Sequence, residues 1–110
     1  MIYLTNAMSV HMLPRMRCGE ACSLILERIS TEDVREMLKG SRYRSYFGHR
    51  DTAGHLERYL RTKIPMTREW VTITAKDTVI IATLGSTREF AWSEKAARSF
   101  EFYKLKYKEE

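Results

Sequence analysis

His49 stands where a side chain could move protons. It follows Gly48 at the end of a strand-like stretch, Arg42-Tyr-Arg-Ser-Tyr-Phe47, and precedes a helix that starts at Asp51 or Thr52. A helix N-terminus presents unpaired N–H groups and a partial positive charge, and both attract phosphate. Gly48 lets a ligand come close to the backbone. An unperturbed imidazole titrates near pH 6.5, so it can give or take a proton at neutral pH. Together these features suit phosphodiester chemistry, with amides holding the phosphate and His49 serving the proton transfer. The plainer alternative is a loop histidine making one backbone hydrogen bond.

Other polar residues gather less tightly. Asn6 and Ser9 close the loop after the first strand, where they either contact a polar ligand or simply cap the turn. Arg88 follows the fifth strand beside Glu89; it could clamp a phosphate bidentately or form a solvated ion pair. His11 lies in the first loop, and His55 lies off the apolar stripe of its helix. Cys18 and Cys22 read as free buried thiols, because no second Cys or His pair completes a zinc set. No glycine-rich nucleotide loop, Gly-x-Ser-x-Gly elbow or His-Glu-x-x-His pair is present. The reading therefore assigns no cofactor and no metal.

The elements that must position these residues follow from pattern. Met1-Ile-Tyr-Leu-Thr-Asn-Ala7 reads as a strand, and Cys22 to Ile29 as a second. Pro14 argues against a long helix between them. Ser30 caps a helix whose stripe is Val34, Met37 and Leu38, and Gly40 stops it. Ala53, Leu56 and Leu60 mark one face of the next helix. Trp70–Thr74 and Thr78–Leu84 read as a hairpin about Lys76-Asp77. Residues 85–92 form a loop, 94–98 a short helix, and Phe100–Tyr107 the last strand. The expected fold is one α/β domain spanning residues 1–110, with a mixed, mostly antiparallel sheet of about five strands and flanking helices.

Composition sets the outer limits. The chain has 110 residues, 44% of them hydrophobic and 30% charged, the balance of a folded single domain. No apolar run approaches the roughly 20 residues that span a bilayer, and polar residues interrupt the start where a secretion signal would lie. A reducing cytoplasm is the expected location, with no membrane partner. The net charge of +5 is uneven. Residues 41–75 hold seven basic side chains (Arg42, Arg44, Arg50, Arg58, Arg61, Lys63, Arg68) against three acidic ones. Such a stretch either attracts phosphate partners or forms a soluble basic face.

Two motifs resemble those of a known family. Met1-Ile-Tyr-Leu-Thr-Asn-Ala-Met-Ser-Val-His-Met-Leu-Pro14 resembles the opening of the viral ring nucleases, the type III anti-CRISPR proteins. Their usual opening is Leu-Thr-Asn-Ala-Phe-Ser-x-Asn-Met-Leu-Pro. Gly48-His49-Arg50-Asp51-Thr52-Ala53 resembles their Gly-His-x-Ser-Thr-Ala stretch. The strand order and the closing aromatic segment agree, so the resemblance covers nearly the whole chain. It implies a metal-free homodimer that cuts cyclic tetra-adenylate into linear di-adenylates ending in a 2′,3′-cyclic phosphate. It implies that His49 is catalytic, as general acid on the departing 5′-oxygen. A 2′-hydroxyl of the ligand would be the nucleophile. Asn6, Ser9, His11, Gly48, Arg50, Asp51 and Thr52 would hold the ligand. Arg88 and Glu89 would match the family's active-site arginine and glutamate. The chain departs from the pattern at His11, which replaces an asparagine, and around Arg88, where an Arg-x-Pro-Glu-Gly type of sequence is missing.

Two other readings compete. A protein that sequesters the cyclic nucleotide would bind without releasing product. A small basic nucleic-acid-binding regulator would prefer longer polymers to the ring. No DNA-reading motif is evident, so no sequence-specific DNA binding is expected.

Overall fold

Alternation along the first strand sets the two faces of the sheet. In β1 (Ile2–Thr5), Ile2 and Leu4 face one side and Tyr3 and Thr5 the other. The computed structural model describes residues 1–6, 10–47, 50–64, 72–84 and 100–108. Its other elements are β2 (Ser23–Ile29), α1 (Thr31–Gly40), β3 (Tyr43–Tyr46), α2 (Arg50–Leu60), β4 (Thr78–Leu84) and β5 (Phe100–Lys108). A single 3₁₀ turn, Val10–Met12, occupies the stretch before Pro14. The expected helix at 94–98 lies outside the described residues.

The five strands form one mixed sheet in the order β2-β5-β4-β1-β3. β1 pairs in parallel with β3 and with β4, while β5 pairs antiparallel with β2 and with β4. Four strands thus run one way and β5 alone returns. Both helices pack on the face that carries Ile2 and Leu4. Val34 and Leu38 of α1, with Ala53, Leu56 and Leu60 of α2, are buried there against Phe47, Ile80, Phe100 and Phe102. The two helical stripes read from the sequence are the core-facing ones. Among the described residues, Met12, Leu13 and Ile73 pack on the opposite face, over Val79 and Leu105.

One strand prediction fails for a topological reason. Residues 72–74 do not continue a strand, and no hairpin forms about Lys76-Asp77. Both edges of β4 are already taken, by β1 and β5. The preceding segment therefore folds across the sheet, where the Ile73 amide donates to the Met12 carbonyl at 2.7 Å. A turn closes the gap. The Asp77 carboxylate accepts from the Thr74 amide at 2.8 Å and from its hydroxyl at 3.1 Å, and it faces the chain's amino terminus at 3.5 Å. The thiols also differ from expectation. Cys18 is exposed and Cys22 half-buried, because they lie in the turn and approach to the edge strand β2, outside the core.

The start of α1 is secured locally. The Ser30 hydroxyl accepts from the Asp33 amide at 3.0 Å, and the Asp33 carboxylate accepts from the Ser30 amide at 3.1 Å. That backbone hydrogen bond is the main reason the Asp33 carboxyl titrates below its ordinary value. The contribution is complete above the ordinary carboxylate range and is lost as pH falls through the lowered value. Ser30→Ala should cost about 1 kcal/mol, read as a lower urea midpoint with an unchanged slope.

Candidate active site

The parallel pairing brings several strand ends to one edge. Thr5 lies opposite Tyr46 of β3 on one side and Ile81 of β4 on the other. The Thr5 hydroxyl donates to the Tyr46 carbonyl at 3.1 Å, which ties the carboxyl ends of β1 and β3 together. Asn6 follows Thr5, half-buried. Phe47 follows Tyr46, fully buried in the core, and α2 begins at Arg50. Leu84, from which the chain runs on toward Arg88 and Glu89, ends at this same edge. In sheets with parallel strands, ligands bind in the crevice outside the carboxyl ends.

The structure thus brings Asn6 and the first turn of α2, Arg50, Asp51 and Thr52, to one end of adjacent strands. Gly48, His49, Ser9, Arg88 and Glu89 lie outside the described residues. His11 sits exposed in the 3₁₀ turn beside Met12, which packs over Val79 and Leu105 on the sheet's second face. Of the aromatics near His49, Phe47 enters the core. Tyr43 reaches the far end of the sheet, where its hydroxyl donates to the Lys63 carbonyl at 2.7 Å. Burial is the main cause of the raised Tyr43 pKa, with Glu57 adding to it.

Tyr3 and Thr5 are residues that reading the motifs one by one leaves out, and they share a face with Tyr46, one of the aromatics near His49 in sequence. The Tyr3 and Tyr46 rings lie 5.7 Å apart and tilted, on the face opposite α1 and α2 next to the carboxyl edge. Burial raises the Tyr3 pKa, with Asp77 and Tyr46 adding and Arg44 opposing. The signal for them was the alternation of β1, which sends Tyr3 and Thr5 to the same side.

The two helix starts at this edge differ in use. The N-terminus of α1 already holds a resident anion, the Asp33 carboxylate. A shallow depression of about 350 Å³ next to it is lined by Arg28, Ser30, Thr31 and Glu101, and Arg28 is paired with Glu101 at 3.3 Å. Of the basic middle of the chain, Arg50 starts α2 at this edge, whereas Arg42, Arg61 and Lys63 lie toward the opposite end, where α2 finishes and β3 begins. Among the described residues, no group of three or more His, Cys, Asp or Glu side chains could hold a metal ion. Nor is any described helix long and apolar enough to cross a membrane.

A family described as STIV B116-like matches residues 2–107. The chain belongs to that family. It is the one to which the opening motif and the Gly48–Ala53 stretch pointed. The fold agrees with the solved structure of B116 of Sulfolobus turreted icosahedral virus. The two share 20% sequence identity and a TM-score of 0.66, over 94% of this chain and 97% of that one. No curated protein is significantly similar to the chain.

Proposed function

We propose that this protein is a metal-independent ring nuclease acting on cyclic tetra-adenylate. The observation that carries the reading is the convergence of β1, β3 and β4 at one edge, within a family match spanning residues 2–107. His49 directly precedes Arg50, the first residue of α2, in the sequence. A 2′-hydroxyl oxygen of the ring forms a bond to the neighbouring phosphorus as its proton passes to water, the bond from that phosphorus to the 5′-oxygen breaks, and His49 protonates the departing oxygen. Two such cuts give two linear di-adenylates with 2′,3′-cyclic phosphate ends. Gly48, Arg50, Asp51 and Thr52 hold phosphate at the start of α2. Asn6 and Ser9, which follow β1 in the sequence, also hold the ligand, and Arg88 and Glu89, which follow β4, complete the set. Tyr46 offers a ring on which an adenine could stack. Much of the catalysis is then orientation and charge stabilisation.

Removing this messenger would silence type III CRISPR effectors in the host cytoplasm. A ring with two-fold symmetry suits two copies of the chain, and the +5 charge of each attracts its phosphates. The test is purified protein with cyclic tetra-adenylate in excess chelator, with products resolved by chromatography. Linear di-adenylate carrying a cyclic phosphate end is the expected result. An intact ring after prolonged incubation overturns the reading, and calorimetry then tells a sequestering protein from one without affinity.

A further inference from the structure

Thr5 is a polar residue in a buried strand position. It is 3% exposed, and its partners across the sheet are Tyr46 of β3 and Ile81 of β4. Valine or isoleucine would suit such a place by packing alone. A hydroxyl is costly there unless it is hydrogen-bonded. The Thr5 hydroxyl donates to a backbone atom, the Tyr46 carbonyl, at 3.1 Å.

The place of this bond gives it leverage. β3 is the outermost strand of the sheet and, among the described residues, pairs only with β1. Tyr46 is its last residue, and strand ends held from one side open most readily. Branching at Cβ leaves threonine few rotamers, which keeps the hydroxyl aimed at its acceptor. Thr5 is in turn the last residue of β1, and Asn6 follows it. Gly48 and His49 stand two and three residues after Tyr46 in the sequence. One hydrogen bond thus joins the last residues of two strands, and groups assigned to the ligand follow both.

We infer that Thr5 is a positioning residue of the proposed nuclease: its hydroxyl sets the spacing between Asn6 after β1 and the Gly48–His49 pair after β3. The inference rests on the ring-nuclease reading of the site. Thr5 is buried and acts through the backbone that it holds. A displacement of about 1 Å between reacting groups can cost on the order of 100-fold in rate.

Thr5→Val removes the hydroxyl at nearly constant shape, whereas Thr5→Ser keeps the hydroxyl and loses the methyl. Thr5→Ala lacks both and repeats the comparison with a smaller side chain. A purely structural role makes cleavage follow the urea midpoint, and a positioning role makes it follow the hydroxyl. Single-turnover cleavage of cyclic tetra-adenylate should slow about 10-fold or more in Thr5→Val and Thr5→Ala, but less than about 3-fold in Thr5→Ser. Calorimetric affinity should change less than the rate. Amide exchange read by mass spectrometry, without ligand, gives a second readout. Peptides spanning residues 43–50 should exchange about 10-fold faster in Thr5→Val than in wild type or Thr5→Ser, while peptides from α1 match wild type. Cleavage by Thr5→Val at the wild-type rate overturns the inference. So does a Thr5→Ser variant as slow as Thr5→Val, or exchange over 43–50 that ignores the hydroxyl. The nuclease reading is scored separately. If wild type leaves the ring intact, that reading falls, and exchange alone decides whether Thr5 holds the end of β3.

Discussion

His49→Ala should slow opening of cyclic tetra-adenylate by about 100-fold or more, while binding changes only a few-fold. A positioned general acid contributes about 10²–10⁴ in rate. The departing 5′-oxygen is a poor leaving group without a proton, and in the proposed mechanism no metal ion shares its charge. The groups assigned to holding the phosphate are separate: Gly48 and the start of α2, with Asn6 and Ser9 beside it. Truncating the imidazole should therefore lower the rate constant of the chemical step far more than affinity. Single-turnover kinetics with enzyme in excess, beside calorimetry on the same samples, separates the two. A variant that cuts at the wild-type rate removes His49 from the chemistry. One that loses binding and rate together makes His49 a ligand contact.

The helices and several strands were legible in the sequence, because their signals are local. Ser30, Asp33 and the stripe of Val34 and Leu38 specify α1 from within ten residues, and the structure has its capping box and its buried face. Thr78–Leu84 is a run of β-formers, and it forms the strand. What could not be read locally is which strands pair. Trp70–Thr74 and Thr78–Leu84 look like a hairpin as a pair, yet β4 is claimed on both sides by β1 and β5, strands far away in the chain. Ladder hydrogen bonds are finite, and a central strand has none left for its sequence neighbour. The same limit governs the candidate site. Motif resemblance put Asn6 and the Gly48–Thr52 stretch in one site, and parallel pairing of β1 with β3 is the physical reason their strand ends are adjacent. The turn that carries His11 folds over the sheet's second face because Met12 has apolar surface there to cover. The tie from Thr5 to Tyr46 spans 41 positions and has no sequence signature at all.

Phe47→Ala should give the largest loss of stability of any substitution near the site. Phe47 is fully buried, in the core formed by Leu4 of β1 and Leu56 of α2 among others. Emptying such a position costs about 3–5 kcal/mol, from lost transfer energy and the cavity left behind. A domain of this size has roughly 5–15 kcal/mol in total, so the variant should unfold at a much lower urea concentration. Phe47→Leu keeps most of the volume and should cost about 1.5 kcal/mol or less. The position also bears on function. Phe47 stands two residues before His49 in the sequence, and its buried ring ties the end of β3 to the core. Leu56→Ala offers the control, since Leu56 is as deeply buried but lies six residues into α2. The two alanine variants should lose comparable stability, about 2–5 kcal/mol for Leu56→Ala. Compared at a temperature where each remains folded, Phe47→Ala should lose ring cleavage and Leu56→Ala should keep most of it. Equal loss in both would mean that cleavage follows global stability alone. Equal retention would mean that the entry to α2 is held by something other than the Phe47 ring.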